Sequence, residues 1–401
     1  MTSLPAHDRA LADPSPSALR IAIYHNIMWS RYKAGVFSRL HVIATETGRS
    51  VDFIQIAETE GDRAVLSGVD ESVHRYPYTL LFKGAYGAVP TWRRCAALLR
   101  DLARRRPDFV VMPGFDRAEY WAMLVYCMLT RTPRAVFCDS TIHDRPRAGW
   151  KERAKRWFFS HCDGVFCYGR RSREYVMSYD VPEARIFRRV QAAALPADHS
   201  DEQVLRHHES NPVDPDRPSF LFVGRLSHEK GLPDLVAAFA RVRAELPRAR
   251  LTLVGAGPLR ASLERQAVAL DVAEGIDFLG GRDAGQIVPL YLSHAALVLP
   301  SHSEPWGLVV NEALAHGLPV VVSDVCGCVP ELVVDGVTGW SFPVGQVDAL
   351  ATAMSKAARM GEHRVDAARA CLQAIASYVP DEAARQILQG CESIDRLARA
   401  R

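Results

Sequence analysis

The sequence alternates repeatedly between short apolar runs and segments of helical periodicity, and this pattern narrows the possible folds. Continuous apolar runs are typical of strands that are buried on both faces of a parallel sheet. In the first half of the chain these runs cover residues 19–24, 51–57, 109–112, 135–138 and 164–168. In the second half they cover residues 220–223, 251–254, 276–279, 297–299, 320–322 and 340–342. The pattern predicts an α/β protein with two Rossmann-like domains, each a doubly wound parallel sheet.

Changes in polarity divide the chain into segments. Residues 196–218 contain Pro212, Pro215 and Pro218 among His, Asp and Glu, so we interpret them as an interdomain segment. The two domains then span residues 19–195 and 219–380, and residues 381–401 have a helical pattern. Residues 1–18 are rich in Pro, Ser and Asp and lack the apolar core of a secretion signal, so we expect a disordered tail.

Composition limits the classes of function. A net charge of +3 over 401 residues is too small to indicate nucleic acid as a partner. The nine cysteines include no Cys-x-x-Cys spacing, as is ordinary for free thiols in a reducing compartment. No apolar run approaches the roughly 20 residues that a transmembrane helix needs. We therefore expect a cytoplasmic protein.

Residues 297–324 form a predicted strand–loop–helix–strand unit that carries two carboxylates. Glu304 lies on the loop, and Glu312, eight positions later, lies in the first turns of the helix. The helix N-terminus between them offers unpaired amides that suit a phosphate. A carboxylate beside an anion site is expected to accept hydrogen bonds from sugar or ribose hydroxyls. Taken alone, however, Glu304 could be a capping residue and Glu312 a solvated one.

Other predicted strands of the second domain end in glycine turns or cations. Gly224 and Arg225 follow one strand, and Lys230 comes shortly afterwards. By themselves, such cations are usually solvated loop residues. Gly255 and Gly257 form a tight turn after the next strand, which by itself is a weak signal. Arg282 follows a further strand and is either a base-stacking residue or a solvated one.

These motifs together resemble the family 4 retaining glycosyltransferases. The resemblance rests on Glu304-x7-Glu312 after a strand that ends in Pro-Ser, and on Gly224-Arg225-x4-Lys230-Gly231. It implies the GT-B fold, in which two Rossmann-like domains face a central cleft and the final helix crosses back to the first domain. It also implies a nucleotide diphosphate sugar as donor and no cofactor.

The same resemblance implies roles for individual residues. Glu304 and the backbone of Trp306, Gly307 and Leu308 would hold the donor sugar, and Glu312 would hold the ribose. Arg225 and Lys230 would bind the diphosphate beside Gly224, Gly255 and Gly257. In the first domain, His143 matches a histidine that reaches across the cleft toward the sugar.

The chain departs from the family pattern on the first-domain side. A glycine pair is common before the first helix, but only Gly35 is present, and the Asn-Gly turn expected near 190–196 is missing. We assign His25, Asn26, Trp29 and Gly35 to the acceptor side. The acceptor itself is left open between a glycan, a lipid-linked molecule and a small molecule.

Metal and membrane partners follow from two further patterns. The sequence has no Asp-x-Asp at a strand end, no His-Glu-x-x-His and no Cys/His cluster, so no metal is expected. Residues 150–159 combine basic and aromatic residues at near-helical spacing, which fits either peripheral membrane contact or ordinary packing against the sheet.

The function that the resemblance implies is metal-independent, retaining transfer of a hexose from a UDP- or GDP-sugar to a hydroxyl group. Two alternatives stay open. A nucleotide-sugar 2-epimerase would bind the same donor on the same fold without an acceptor. A non-catalytic nucleotide-sugar-binding subunit would bind the donor without turning it over.

Overall fold

The computed structural model describes residues 19–60, 69–143, 149–214 and 216–400. The predicted tail at residues 1–18 therefore lies outside the described residues. Within them the chain forms a seven-stranded sheet followed by a six-stranded sheet, and the strands of both pair in parallel. The prediction of two Rossmann-like domains is confirmed.

The first sheet has the strand order β3-β2-β1-β4-β5-β6-β7. Its strands are β1 (Arg20–Ile27), β2 (Ser50–Thr59), β3 (Tyr78–Ala85), β4 (Phe109–Met112), β5 (Arg134–Cys138), β6 (Gly164–Cys167) and β7 (Ile186–Arg188). The strand order reverses between β1 and β4, which opens a crevice at the carboxyl edge of the sheet. Sequence patterns missed β3 and β7, because β3 has no fully buried position and β7 is only three residues long.

Helices cover both faces of this sheet. They are α1 (Arg31–Glu46), α2 (Thr91–Arg105), α3 (Ala118–Leu129), α4 (Trp150–Ser160) and α5 (Arg170–Met177), joined by the last helix of the chain, α14 (Pro380–Arg399). The buried side chains of α1 and α14 share one core, and those of α2 to α5 share a second core on the opposite face.

Helix α14 crosses back to the first domain, as the GT-B expectation requires. It packs beside α1, where Arg39 pairs with Asp381 at 2.5 Å and Arg49 pairs with Glu392 at 2.8 Å. A Cβ atom at Gly164 of β6 would lie 2.4 Å from Ile394 of α14. The helix therefore contacts the sheet directly and ties the end of the chain to its first half.

The second sheet has the order β10-β9-β8-β11-β12-β13 and reverses between β8 and β11. Its strands are β8 (Ser219–Val223), β9 (Arg250–Val254), β10 (Ile276–Gly280), β11 (Ala296–Leu299), β12 (Val320–Ser323) and β13 (Gly339–Phe342). The helices of this half are α6 (Asp201–Ser210), α7 (Leu232–Glu245), α8 (Arg260–Ala269), α9 (Ala284–Ser293), α10 (Leu308–Ala315), α11 (Val329–Leu332), α12 (Val347–Arg359) and α13 (Arg364–Ile375).

Two features of this half bear on the sequence predictions. The apolar runs of β11 and β12 are buried at every position, which explains why they were recognisable. The polar segment 196–218 contains α6, and His208 of that helix bonds to the carbonyl of His316 at 2.8 Å. Part of the predicted interdomain segment thus packs on the second domain.

Candidate functional site

A lysine and a glutamate from separate loops meet where β8 and β11 end. Lys230 Nζ donates to Glu304 Oε2, and both side chains are largely buried. The contact depends on Gly231, where a Cβ atom would lie 2.1 Å from the carbonyl oxygen of Pro300. Gly231 also has a φ of +64°, so only glycine fits this close approach of the two loops without strain.

The loop after Glu304 presents free backbone amides. Gly307, with a φ of +98°, is the N-cap of α10. The amides of Trp306, Gly307 and Leu308 donate no hydrogen bond to any residue that the structure describes. From behind, Gly327 donates to the carbonyl of Glu304 at 2.9 Å and Cys328 donates to that of Trp306 at 3.1 Å. The loop is thus held by its carbonyls while its amides stay available to a ligand.

Glu312 is oriented by a residue that sequence reasoning missed. Tyr291, at the end of α9, donates its hydroxyl proton to Glu312 Oε2 at 2.7 Å and stacks on His316. No described residue donates to the other oxygen, Oε1, which leaves that atom as an acceptor for a ligand hydroxyl. Burial raises the pKa of the Glu312 carboxyl, although the hydrogen bond from Tyr291 opposes the shift.

Arg225 extends from the end of β8 with its guanidinium half-exposed. Its Nη2 donates to Glu229 Oε1 at 2.8 Å, and Ser227 Oγ donates to the same oxygen at 2.6 Å. Although partial burial opposes it, the hydrogen bond from Ser227 and the charges of Arg225 and Lys230 lower the pKa of Glu229. Glu229 therefore positions the arginine, a role that its four-residue spacing from Arg225 could have indicated.

The predicted glycine turns lie against one another at the carboxyl edge of the sheet. Gly224 donates to the carbonyl of Val254 at 2.9 Å, and Gly255 donates to that of Gly280 at 2.8 Å. A Cβ atom at Gly255, whose φ is +139°, would lie 1.8 Å from the carbonyl oxygen of Gly224. A Cβ atom at Gly257 would lie 2.4 Å from the carbonyl oxygen of Leu226. The backbones of these turns are therefore in direct contact with one another, next to Arg225.

Two predicted residues lie apart from these contacts. Arg282 is exposed after β10, beyond the last of the glycine turns. His143 is exposed on the loop after β5, where its amide donates to Thr141 Oγ1 at 3.2 Å, and residues 144–148 beyond it lie outside the described residues.

The loop that carries Glu304 also contacts the first domain directly. Trp306 is buried, and a Cβ atom at Gly169 of the first domain would lie 2.8 Å from its ring. The indole Nε1 donates to Asn311 Oδ1 at 2.8 Å, and Asn311 Nδ2 donates across the domains to the carbonyl of Gln191 at 2.7 Å. The position of the Glu304 loop is therefore coupled to the first domain.

On the first-domain wall, two buried cations share one phenol. Lys33 Nζ and Arg189 Nη1 both donate to Tyr168 Oη, the latter at 2.7 Å. Arg189 Nε and Nη2 are buried without a hydrogen-bond partner among the described residues, and the charge of Asp139 acts on Lys33. Burial and the charge of Arg189 lower the pKa of Lys33. Sequence patterns missed Arg189, which lies just after a three-residue strand.

The residues that we assigned to the acceptor side occupy varied positions. His25 is buried against Gln55 at 3.2 Å, and burial with the charge of Lys33 lowers its pKa to about 3. Asn26 Oδ1 accepts from Tyr120 at 2.5 Å. Trp29 is partly buried, and its backbone amide donates to the backbone carbonyl of Glu58. Gly35 lies within α1, with Pro380 of α14 nearby. Asn26, Trp29 and Gly35 are partly accessible, whereas His25 is buried.

The described part of the chain has neither a cluster of metal ligands nor a membrane-spanning helix. It contains no group of three His, Cys, Asp or Glu side chains arranged to hold a metal ion. None of its helices is both long and apolar enough to cross a bilayer. All nine cysteines are free. Independence from metal stays a prediction of the sequence.

The second half of the chain is similar to known sugar-transferring proteins. Residues 204–371 match the family described as Glycosyl transferases group 1. Glycogen synthase of Mycobacterium tuberculosis is 41% identical over 134 residues, which are 33% of this chain and 32% of that protein. A GDP-mannose-dependent alpha-(1-6)-phosphatidylinositol monomannoside mannosyltransferase of Mycolicibacterium smegmatis is 34% identical over 35% of this chain and 38% of its own length. These alignments thus span only about a third of each relative.

Solved structures match over nearly the whole chain. Anabaena HepE in complex with UDP and glucose superposes with a TM-score of 0.68 at 17% identity, covering 94% of this chain and 100% of that one. Sucrose-phosphate synthase from Thermosynechococcus elongatus gives a TM-score of 0.69 at 18% identity, covering 96% and 100%. At such identities the likeness concerns the fold. The chain therefore has the GT-B fold of nucleotide-sugar glycosyltransferases, and its residues 204–371 match the group 1 glycosyl transferase family.

Proposed function

We propose that this protein transfers a hexose from a nucleotide diphosphate sugar to an acceptor hydroxyl, with retention of the anomeric configuration. The observation that carries the proposal is the convergence of Lys230, Glu304 and the free amides of residues 306–308 at one strand edge. A cation, a carboxylate and unpaired amides complement a phosphate and the hydroxyls of a sugar attached to it. Glu312, held by Tyr291, receives the ribose on the same edge.

The reaction that fits this arrangement is a front-face displacement. The bond between the anomeric carbon and the phosphate oxygen breaks, and the acceptor oxygen bonds to that carbon from the same face. The departing phosphate oxygen takes the acceptor proton, so no separate base is needed. Lys230 and Arg225 stabilise the negative charge that develops on the diphosphate, which is the role of a divalent ion in other enzymes.

The donor base, sugar and acceptor are identified by binding and turnover. A thermal-shift screen with UDP, GDP, ADP and dTDP should show one diphosphate that raises the melting temperature well above the others, since a ligand of the folded state stabilises it. The matching sugar nucleotides are then incubated with candidate glycan, lipid-linked and small-molecule acceptors. Product with the donor's anomeric configuration supports the proposal, and inverted product contradicts the retaining mechanism.

A second candidate is a nucleotide-sugar 2-epimerase. One structure described as a putative UDP-N-acetylglucosamine 2-epimerase, from Listeria monocytogenes, shares the fold with a TM-score of 0.60 at 15% identity. Incubation of the protein with sugar nucleotide alone distinguishes the two. An epimeric sugar nucleotide identifies the epimerase, whereas slow release of nucleoside diphosphate fits the transferase. Tight binding with neither outcome, and no transfer to any acceptor, would indicate a non-catalytic subunit.

A further inference from the structure

An exposed apolar surface lies on helices α3 and α4 of the first domain and uses none of the residues assigned above. We define the α3–α4 surface by four side chains of those helices. Their exposed fractions are 81% for Leu129, 74% for Trp150, 44% for Val125 and 40% for Trp157. Apolar side chains are commonly exposed singly, but a contiguous set on adjacent helices marks an interaction site.

The two helices form one continuous surface. Val125 and Leu129 lie four residues apart on α3, one turn and two turns after Trp121. The ring of Trp121 stacks on that of Trp157 of α4, with centroids 5.8 Å apart and an interplanar angle of 7°. Trp157 is the exposed neighbour of the buried Phe158, which anchors α4 to the sheet. The stacked tryptophans thus join the exposed stripes of both helices.

The charge of this surface is positive. Residues 118–131 and 150–160 contain the cations Arg131, Lys151, Arg153, Lys155 and Arg156. The same residues contain only the acids Glu119 and Glu152. Both acids are neutralised by partners, Glu119 by Arg94 at 2.7 Å and Glu152 by Lys155 at 2.9 Å. Arg156 pairs with Asp180, so Arg131, Lys151 and Arg153 are the exposed cations that remain beside the apolar side chains.

We propose that the α3–α4 surface docks the protein onto an anionic lipid bilayer. Tryptophan is favoured at the level of the lipid headgroups, where its ring is half in the apolar layer and its N–H meets water. Exposed cations beside such rings are attracted to anionic headgroups, and exposed aliphatic side chains insert below them. A protein partner would need acidic and apolar groups in matching places, whereas a bilayer supplies both at every point.

The proposal is tested with the full chain and sedimenting vesicles. Vesicles of phosphatidylcholine alone are compared with vesicles that also contain phosphatidylglycerol, each at low and at physiological salt. We expect the protein to sediment with the anionic vesicles, and to sediment less as salt screens the attraction. Equal sedimentation with both lipids, or none with either, would overturn the proposal.

Matched variants distinguish binding through the α3–α4 surface from nonspecific binding of the protein to vesicles. L129S with W150S should lower the vesicle partition coefficient about tenfold, because two exposed apolar side chains are lost from the interface. K151E with R153E should lower it by at least about fivefold per charge. The control variants R265E and V268S change an exposed cation and an exposed valine on α8 of the second domain, and should leave binding unchanged.

Self-association is the competing outcome and has its own readout. Melting temperatures within a degree or so of the wild type show that the variants are folded, and light scattering reports the mass in solution. A dimer that L129S with W150S dissociates, together with no vesicle binding by the wild type, would assign the surface to a second copy of this chain. Donor binding by all variants keeps the result independent of the proposed function.

Discussion

Lys230 and Glu304 lie 74 positions apart in the sequence, and the ammonium of one contacts a carboxylate oxygen of the other. The positive charge of Lys230 and the negative charge of Glu304 therefore neutralise each other. A sugar diphosphate would separate their tasks, since phosphate oxygens accept from Lys230 and sugar hydroxyls donate to Glu304. The site thus contains a cation and a carboxylate, and because they pair, neither charge is left uncompensated in its largely buried position.

Removing one member of this pair should damage both stability and activity. K230A and E304A should each lower turnover by at least about 100-fold, because each removes a group that acts on the reacting sugar diphosphate. Each should also lower the melting temperature, because the remaining charge is largely buried and has lost its partner. The double variant should regain part of that stability but none of the activity. Turnover near wild type in either single variant would remove both residues from the mechanism.

Replacing Glu312 by Gln should raise the stability of the protein and weaken its binding of nucleotide. In E312Q a neutral amide oxygen still accepts from Tyr291 without the burial of a charge. Because burial raises the folded-state pKa of Glu312, its favourable contribution is complete below the unfolded pKa and is lost as pH rises through the raised value. The melting temperature of E312Q should therefore exceed that of the wild type at neutral and alkaline pH, and the difference should shrink toward about pH 4.

The same variant should bind nucleoside diphosphate about tenfold more weakly, since a charged acceptor for the ribose is lost. Titration calorimetry with the nucleotide found in the thermal-shift screen measures this. Y291F is the companion variant: it keeps the carboxylate but removes its orienting hydroxyl, and should weaken nucleotide binding less than E312Q. An E312Q protein that is less stable at alkaline pH, or that binds nucleotide normally, would contradict this interpretation.

Gly255 should tolerate no side chain. G255A places a Cβ atom 1.8 Å from the carbonyl oxygen of Gly224, on a backbone with φ of +139°, so the turn beside Arg225 must move. We expect a loss of several kcal/mol in the free energy of unfolding, measured by urea denaturation. G281A is the matched control, because nothing lies within 4 Å of its Cβ position. Equal stability of the two variants would show that the turns do not pack as described.

Replacing Asn311 by Ala should lower both the stability of the protein and its affinity for the donor. N311A leaves the Trp306 indole N–H and the Gln191 carbonyl without their partners, which costs about 1–3 kcal/mol of stability. Because Trp306 follows Glu304 in the donor loop, donor affinity should fall as well. N211A removes an exposed asparagine at the end of α6 and should change neither quantity. A normal donor affinity in N311A would separate the interdomain bond from donor binding.

Much of the fold was predictable, because strands that are buried on both faces consist mainly of apolar residues. The strands of the second sheet follow apolar runs that sequence patterns located, and four of those strands have their central residues fully buried. Strands β3 and β7 were not predicted, since β3 has no fully buried position and a three-residue strand has no period. The apolar run 109–112 coincides with the observed bounds of β4.

The strand-end motifs of the second domain were recognisable from the sequence, because each of them is local along the chain. The three-dimensional fold sets which residues touch: Lys230 with Glu304, Tyr291 with Glu312, and Asn311 with Gln191. It also placed Lys33 and Arg189 on one phenol, from positions 156 residues apart along the chain. Hydrogen bonds depend on distances in space, and a sequence records only distances along the chain.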